Sequence, residues 1–153
     1  MLSTSLVRII EAHAEELTRE LLDDLSRNPR TPSFHTMPRE ELQQRVHDLY
    51  RHLGTWLGEQ SEEAVERTYT EVGRRRFAEG VPLAESFCAM LLTKEHLRGY
   101  LRRAGAPHSA LELHREVEMN VQLGHFFDRV IYHTVLGYER ARAEAGHTSS
   151  ARP

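Results

Sequence analysis

The sequence predicts an all-α fold of about five helices in a mainly antiparallel bundle with a long C-terminal helix, and three observations predict it. Apolar residues recur at steps of three and four along most of the chain, the spacing that gathers them on one side of a helix. No segment shows the strict alternation of a half-buried strand. The six prolines fall at Pro29, Pro32, Pro38, Pro82, Pro107 and Pro153 and leave long stretches unbroken. A proline costs about 3 kcal/mol inside a helix but is welcome in its first turn.

The first helix is expected from about Ser5 to Ser26, with Leu6, Ile9, Ile10, His13, Leu17, Leu21 and Leu25 along one face. Asn28-Pro29 ends it, and Arg27 to Thr36, with two prolines and small polar residues, reads as a loop. Thr36-Met37-Pro38-Arg39-Glu40-Glu41 opens the second helix, because a cap residue, an early proline and first-turn acids all suit a helix N-terminus. Its stripe is Leu42, Val46, Leu49, Tyr50, Leu53, Trp56 and Leu57. A third helix begins at Ser61-Glu62-Glu63, turns Val65, Tyr69, Val72 and Arg76 or Phe77 inward, and stops at Gly80.

Pro82 opens the fourth helix, in which Leu83, Phe87, Met90, Leu91, Leu97 and Leu101 point one way until Gly105-Ala106-Pro107. The very short junction before it predicts an antiparallel hairpin of helices three and four. Ser109-Ala110-Leu111-Glu112 forms a capping box for the last helix, expected to reach about Ala145. Leu113, Val117, Val121, Phe127, Ile131, Val135 and Tyr138 make its apolar face, which is expected to outrun its neighbours. Residues 1–145 are read as a single domain and residues 146–153 as a disordered polar tail.

Composition narrows the function. A chain of 153 residues can bury a core without disulfides or a structural metal. Twenty Lys and Arg against 23 Asp and Glu, with the signs mixed along the chain, give no basic surface for nucleic acid or an anionic membrane. A lone cysteine, Cys88, allows no intramolecular disulfide or multi-cysteine zinc motif and fits a reducing compartment. No apolar run nears the roughly 20 residues of a membrane span, and no signal-peptide core follows Met1. A cytoplasmic location is expected.

Catalytic chemistry finds little support. The ten histidines invite a metal, but His47 and His52 are five apart and His125 and His133 eight apart, whereas ligands on one helical face need spacings of three or four. Haem needs only one or two axial ligands, so His96 and His125, near apolar positions on the two longest helices, are the candidates. Lys94-Glu95-His96-Leu97-Arg98-Gly99 misplaces the basic residue and the glycine for a phosphotransfer histidine. Cys88 lies between Phe87 and Ala89 on an amphipathic helix and reads as a small core residue, and no phosphate loop or nucleophile elbow occurs.

Arg76 continues the inner stripe from Val72, so its guanidinium must meet an acid or reach water, with Glu85 and Asp128 the expected partners. Asn120, Gly124 and Asp128 interrupt the stripe of the last helix at successive turns. With Arg76 they form a candidate buried polar site, in which Gly124 is expected to admit a neighbouring helix closely.

The segment Arg74-Arg75-Arg76-Phe77-Ala78-Glu79-Gly80-Val81-Pro82-Leu83-Ala84-Glu85 resembles the central motif of the RsbRD-type N-terminal domain, the RsbT co-antagonist N-terminal domain. That family joins two helices through an Arg-x-x-x-Gly-x-x-Leu-x-Glu pattern, and Arg76, Gly80, Leu83 and Glu85 occupy its positions. The similarity extends over most of the chain. It implies a bacterial sensory or docking domain of the kind that precedes a STAS domain in stressosome subunits or the kinase core of histidine kinases, with no catalytic residues. No output domain is recognisable here: either the sequence is a piece of a longer protein or it stands alone, and in the second case a STAS or kinase partner bound in trans is expected. A homodimer through the uncovered apolar face of the last helix would carry the signal. The competing expectation is a globin-like sensor of haem or a small ligand.

Overall fold

The computed structural model describes residues 4–58, 61–103 and 109–150. Every regular element among them is helical: α1 (Thr4–Ala12), α2 (Ala14–Arg27), a 3-10 turn (Pro32–Phe34), α3 (Arg39–Arg51), α4 (Leu53–Trp56), α5 (Glu62–Ala78), α6 (Leu83–Arg103) and α7 (Ala110–Ser150). The expected stop at Gly105-Ala106-Pro107 lies outside the described residues.

Among the described residues seven α-helices stand where about five were expected, because two of the five are broken at a histidine. The His13 amide is shared between the Ile9 and Ile10 carbonyls (3.2 and 3.1 Å), while its ring Nδ1 donates to the Ile9 carbonyl at 2.8 Å. His13 rests at φ −110°, ψ 20° and His52 at φ −117°, ψ 33°, the sparsely allowed bridge between helix and strand. His52 donates through Nδ1 to Asp48 at 3.1 Å. At His13 the ring thus competes for a carbonyl of the preceding turn, whereas His52 keeps its amide bond to the Asp48 carbonyl at 3.0 Å and its ring meets only the Asp48 side chain.

The core is continuous. Ile10, Leu17, Leu21, Tyr50, Leu53, Val65, Leu97, Met119, Leu123 and Phe126 lose essentially all their solvent. Burial of each such side chain contributes about 1.5–3 kcal/mol against the conformational entropy of folding.

The α5–α6 junction follows from its residues. Gly80 adopts φ 76°, a left-handed conformation that costs glycine nothing. It lets the Gly80 and Val81 amides donate to the Phe77 and Arg76 carbonyls (3.0 and 2.9 Å), closing the end of α5 as a Schellman motif. Pro82 then starts the chain into α6.

Helix α7 has 41 residues, about 60 Å at 1.5 Å per residue, and continues to Ser150, beyond the expected stop at Ala145. Its buried face is Met119, Leu123, Phe126, Phe127, Val130, Thr134, Gly137 and Tyr138. Of the seven residues expected to form the apolar face, only Phe127 and Tyr138 are buried. Ile131 and Val135 are half-buried, and Leu113, Val117 and Val121 are exposed. Along this helix the aliphatic residues mark the outside as much as the inside.

Helices α5 and α7 pack in backbone contact. A Cβ on Gly73 would stand 2.0 Å from the Thr134 carbonyl oxygen and 2.7 Å from the Tyr138 amide nitrogen. A Cβ on Gly137 would stand 2.1 Å from the Thr70 carbonyl oxygen. The contact is reciprocal, because Thr70-Glu71-Val72-Gly73 and Thr134-Val135-Leu136-Gly137 share one Thr-x-x-Gly pattern and each glycine rests on the other helix's threonine carbonyl. The two helices run the same way: one turn beyond Gly73, Phe77 meets Tyr138 edge-on at 5.5 Å, and Arg74 reaches Glu144.

Candidate functional site

The Arg76–Glu85 motif is the hub on which the bundle is assembled. The side chain of Arg76 is only 4 % exposed and lies between two acids, its Nη2 donating to Glu41 at 3.3 Å and its Nη1 to Glu79 at 3.1 Å. Its guanidinium carbon stands 5.8 Å from the centre of the Phe34 ring, so the cation also has an aromatic neighbour. Arg45 and Arg75 converge on the same Glu41, at 3.2 and 3.0 Å. Burial by itself pushes the Glu41 carboxyl up, but Arg76, Arg45 and Arg75 outweigh it and hold the group below the usual glutamate range.

Glu85 takes no part in that cluster. It accepts the Ser33 amide at 2.7 Å and the Ser33 hydroxyl at 2.9 Å, and so pins the 3-10 turn to the first turn of α6. Tyr138 completes the junction by donating its hydroxyl to the Val81 carbonyl at 2.7 Å. Leu83 is half-buried at the start of α6. Arg76, Gly80 and Glu85 therefore tie α3, the 3-10 turn, α5 and α6 together, and Tyr138 adds α7.

Beside the hub lies a cavity of about 70 Å³ between α2, α3, α5, α6 and α7. Its wall is mostly apolar, with Leu25, Phe34, Val46, Met90, Phe127 and Val130 among the lining residues. Arg45, Tyr69, Arg76, Ser86, Thr93 and Thr134 add polar atoms. Thr93 and Thr134 commit their protons to the Ala89 and Val130 carbonyls, at 2.8 and 2.7 Å. Burial pushes the Tyr69 hydroxyl well above its ordinary range, so that group stays neutral. The Ser86 hydroxyl, in a residue only 3 % exposed, has no hydrogen-bond partner among the described residues.

The second candidate surface is the outer face of α7. Leu113, Val117, Val121 and Tyr132 are 52–61 % exposed, with half-buried Ile131 and Val135 beside them. At 100° per residue these side chains fall in one sector, turned about 140° from the buried face. Asp128 is the acid that interrupts it, and it too is exposed.

The expected polar site is not assembled. Arg76 pairs with Glu41 and Glu79 rather than with Glu85 or Asp128. Asn120 turns its amide back onto the Glu116 carbonyl of its own helix at 3.0 Å. Asp128 stands on the outer face, and a Cβ on Gly124 would meet nothing within 4 Å. The close helix approach expected at Gly124 is made instead at Gly73 and Gly137, and the repeated Thr-x-x-Gly was the sequence signal for it.

Of the haem candidates, His125 is exposed, while His96 joins α6 to α2 by pairing through Nε2 with Asp24 at 2.7 Å. Burial pushes the Asp24 carboxyl up, but its hydrogen bonds from His96 and Asn28 and the charge of His96 bring it below the usual range. Neither histidine lines the core cavity. Among the described residues no group of three or more His, Cys, Asp or Glu side chains is placed to hold a metal ion. No described helix is long and apolar enough to cross a membrane.

Comparison with known proteins agrees with the motif. No curated protein and no solved structure matches the chain. One family model does, over residues 11–152, from within α1 to beyond α7: the RsbT co-antagonist protein rsbRD N-terminal domain. That span includes every residue of the hub, and the chain belongs to the RsbT co-antagonist protein rsbRD N-terminal domain family.

Proposed function

We propose that this chain is a non-catalytic regulatory domain of bacterial stress or two-component signalling, acting in the cytoplasm by presenting α7 to a second copy of itself. The observation that carries the reading is the outer stripe of α7. Leu113, Val117, Val121 and Tyr132 lie at helical spacing on one side of the longest helix, more than half exposed, while a different face of the same helix fills the core. A helix apolar on two faces has a use for both. Two copies related by a two-fold axis would bury the same stripe on each other, the commonest arrangement of identical subunits. Membership in a family named for a co-antagonist of a regulatory protein supports a role exercised through protein contacts.

Sedimentation velocity over a concentration series tests the proposal. The chain should pass from monomer to dimer as concentration rises, and Val121→Glu should weaken the dimer at least tenfold by setting two like charges across the axis, where juxtaposition costs several kcal/mol. A monomer at every concentration, or a dimer indifferent to Val121→Glu, refutes it. A stripe that instead binds a STAS or kinase protein in a one-to-one complex would also count against self-association.

A further inference from the structure

We propose that the cavity beside the Arg76–Glu85 hub is a binding site for a small neutral molecule of mostly apolar character that carries one hydrogen-bonding oxygen, such as a short-chain alcohol, aldehyde or ketone. The volume sets the size. At about 70 Å³ the cavity is roughly half of one of about 150 Å³ that holds benzene, which corresponds to three or four non-hydrogen atoms. The wall sets the polarity. Leu25, Phe34, Val46, Met90, Phe127 and Val130 surround the occupant with hydrocarbon and aromatic rings.

The free hydroxyl of Ser86 sets the chemistry. A buried hydroxyl without a partner is costly, and a ligand oxygen that accepts its proton removes that cost. Thr93 and Thr134 have their protons engaged and can only receive. A carboxylate is disfavoured, because Arg76 and Arg45, the two cations on the wall, are already paired with Glu41 and Glu79. An anion would enter an apolar space without a free counter-charge. The hub fixes the donor: Ser86 follows Glu85, which the Ser33 contacts hold in place.

Methyl NMR on the full chain, titrated with propan-1-ol, tests the site. The Met90 and Val130 methyls should shift in a saturable way, with nuclear Overhauser contacts to the alcohol and a dissociation constant on the order of 1 mM, as befits about four heavy atoms. Ser86→Ala removes only the unpartnered hydroxyl, so it should fold as the parent does. It should weaken propan-1-ol about five- to tenfold, the worth of one hydrogen bond, while leaving xenon binding unchanged. Butyrate should produce no shift at these methyls.

Ala89→Leu, which fills the space, should abolish both propan-1-ol and xenon binding. Should Ala89→Leu fail to fold, the Ser86→Ala comparison decides alone. The proposal is overturned by shifts that never saturate, by contacts confined to surface methyls, or by equal affinity in the parent and Ser86→Ala. A single buried water that propan-1-ol cannot displace overturns it too. None of these readouts depends on the oligomeric state, so failure here and failure of the dimer reading are distinguishable.

Discussion

Alanine at Gly73 and alanine at Gly124 should move stability in opposite directions, although both glycines lie in the interior of a long helix. At Gly124 a new methyl meets nothing within 4 Å, so the substitution keeps only the gain in helix propensity, about 0.8–1 kcal/mol. At Gly73 the same gain is opposed by a Cβ 2.0 Å from the Thr134 carbonyl oxygen and 2.7 Å from the Tyr138 amide nitrogen. Both atoms are backbone and cannot rotate aside. Relief requires α5 and α7 to separate by more than about 1 Å, a gap that forfeits a quarter to a half of the dispersion energy of each contact it opens. Overpacking costs about 1–3 kcal/mol, and a backbone clash belongs at the upper end.

The net for Gly73→Ala is therefore a loss of about 2 kcal/mol, or about 4–8 °C in Tm for a chain of this size. Urea unfolding followed by circular dichroism reads both variants, with unchanged slopes required for the comparison. Gly137→Ala should cost a similar amount, since its Cβ would stand 2.1 Å from the Thr70 carbonyl oxygen. The double variant should cost less than the sum, because separating the helices once relieves both clashes. Equal stabilisation by Gly73→Ala and Gly124→Ala would refute the reasoning.

Two further outcomes follow from the hub. Glu85→Ala deletes the acceptor of both Ser33 hydrogen bonds and should cost about 1.5–2 kcal/mol, the low end for bonds to a half-buried charged group, while Glu85→Gln should recover part of it in the same urea assay. Glu41 supplies a pH dependence: its folded carboxyl titrates below its ordinary value of 4.5, so its stabilisation is present above that value and is lost as pH falls toward the lowered one. The stability gap between the parent and Glu41→Gln should narrow as pH drops through this window, and a gap that stays constant from about pH 7 to about pH 3 would exclude the arginine cluster as its source.

The local chemistry of the motif was legible in the sequence, whereas its long-range partners were not. Gly80 and Pro82 mark the end of one helix and the start of the next because left-handed backbone and a missing amide are properties of single residues. Arg76 was recognisable as an inward cation, but its acid, Glu41, lies 35 positions earlier, where it reads as a first-turn residue of another helix. Likewise Glu85 answers to Ser33, 52 positions away in what reads as a loop.

The breaks at His13 and His52 carry no proline to mark them, and the ring bond to the Ile9 carbonyl that accompanies the first is not a property that spacing reveals. The inner face of α7 was misassigned because Thr134 and Gly137 line it while Leu113, Val117 and Val121 lie outside. Periodicity counts greasy residues, but a close helix crossing wants small ones.

The position of that crossing along α7 gives the long helix unequal arms. Gly137 is 27 residues from Ala110 and 13 from Ser150, or about 40 Å from one tip and about 20 Å from the other at 1.5 Å per residue. With backbone touching backbone, the crossing behaves as a fulcrum: a tilt of about 5° swings the far tip by about 3.5 Å and the near tip by half as much, on the rise of an α-helix. Leu113, Val117 and Val121 ride on the longer arm. Met119 and Leu123 are buried on that same arm, where such a tilt moves the backbone by about 2 Å, so a shift of the outer stripe and a repacking of the core are one event.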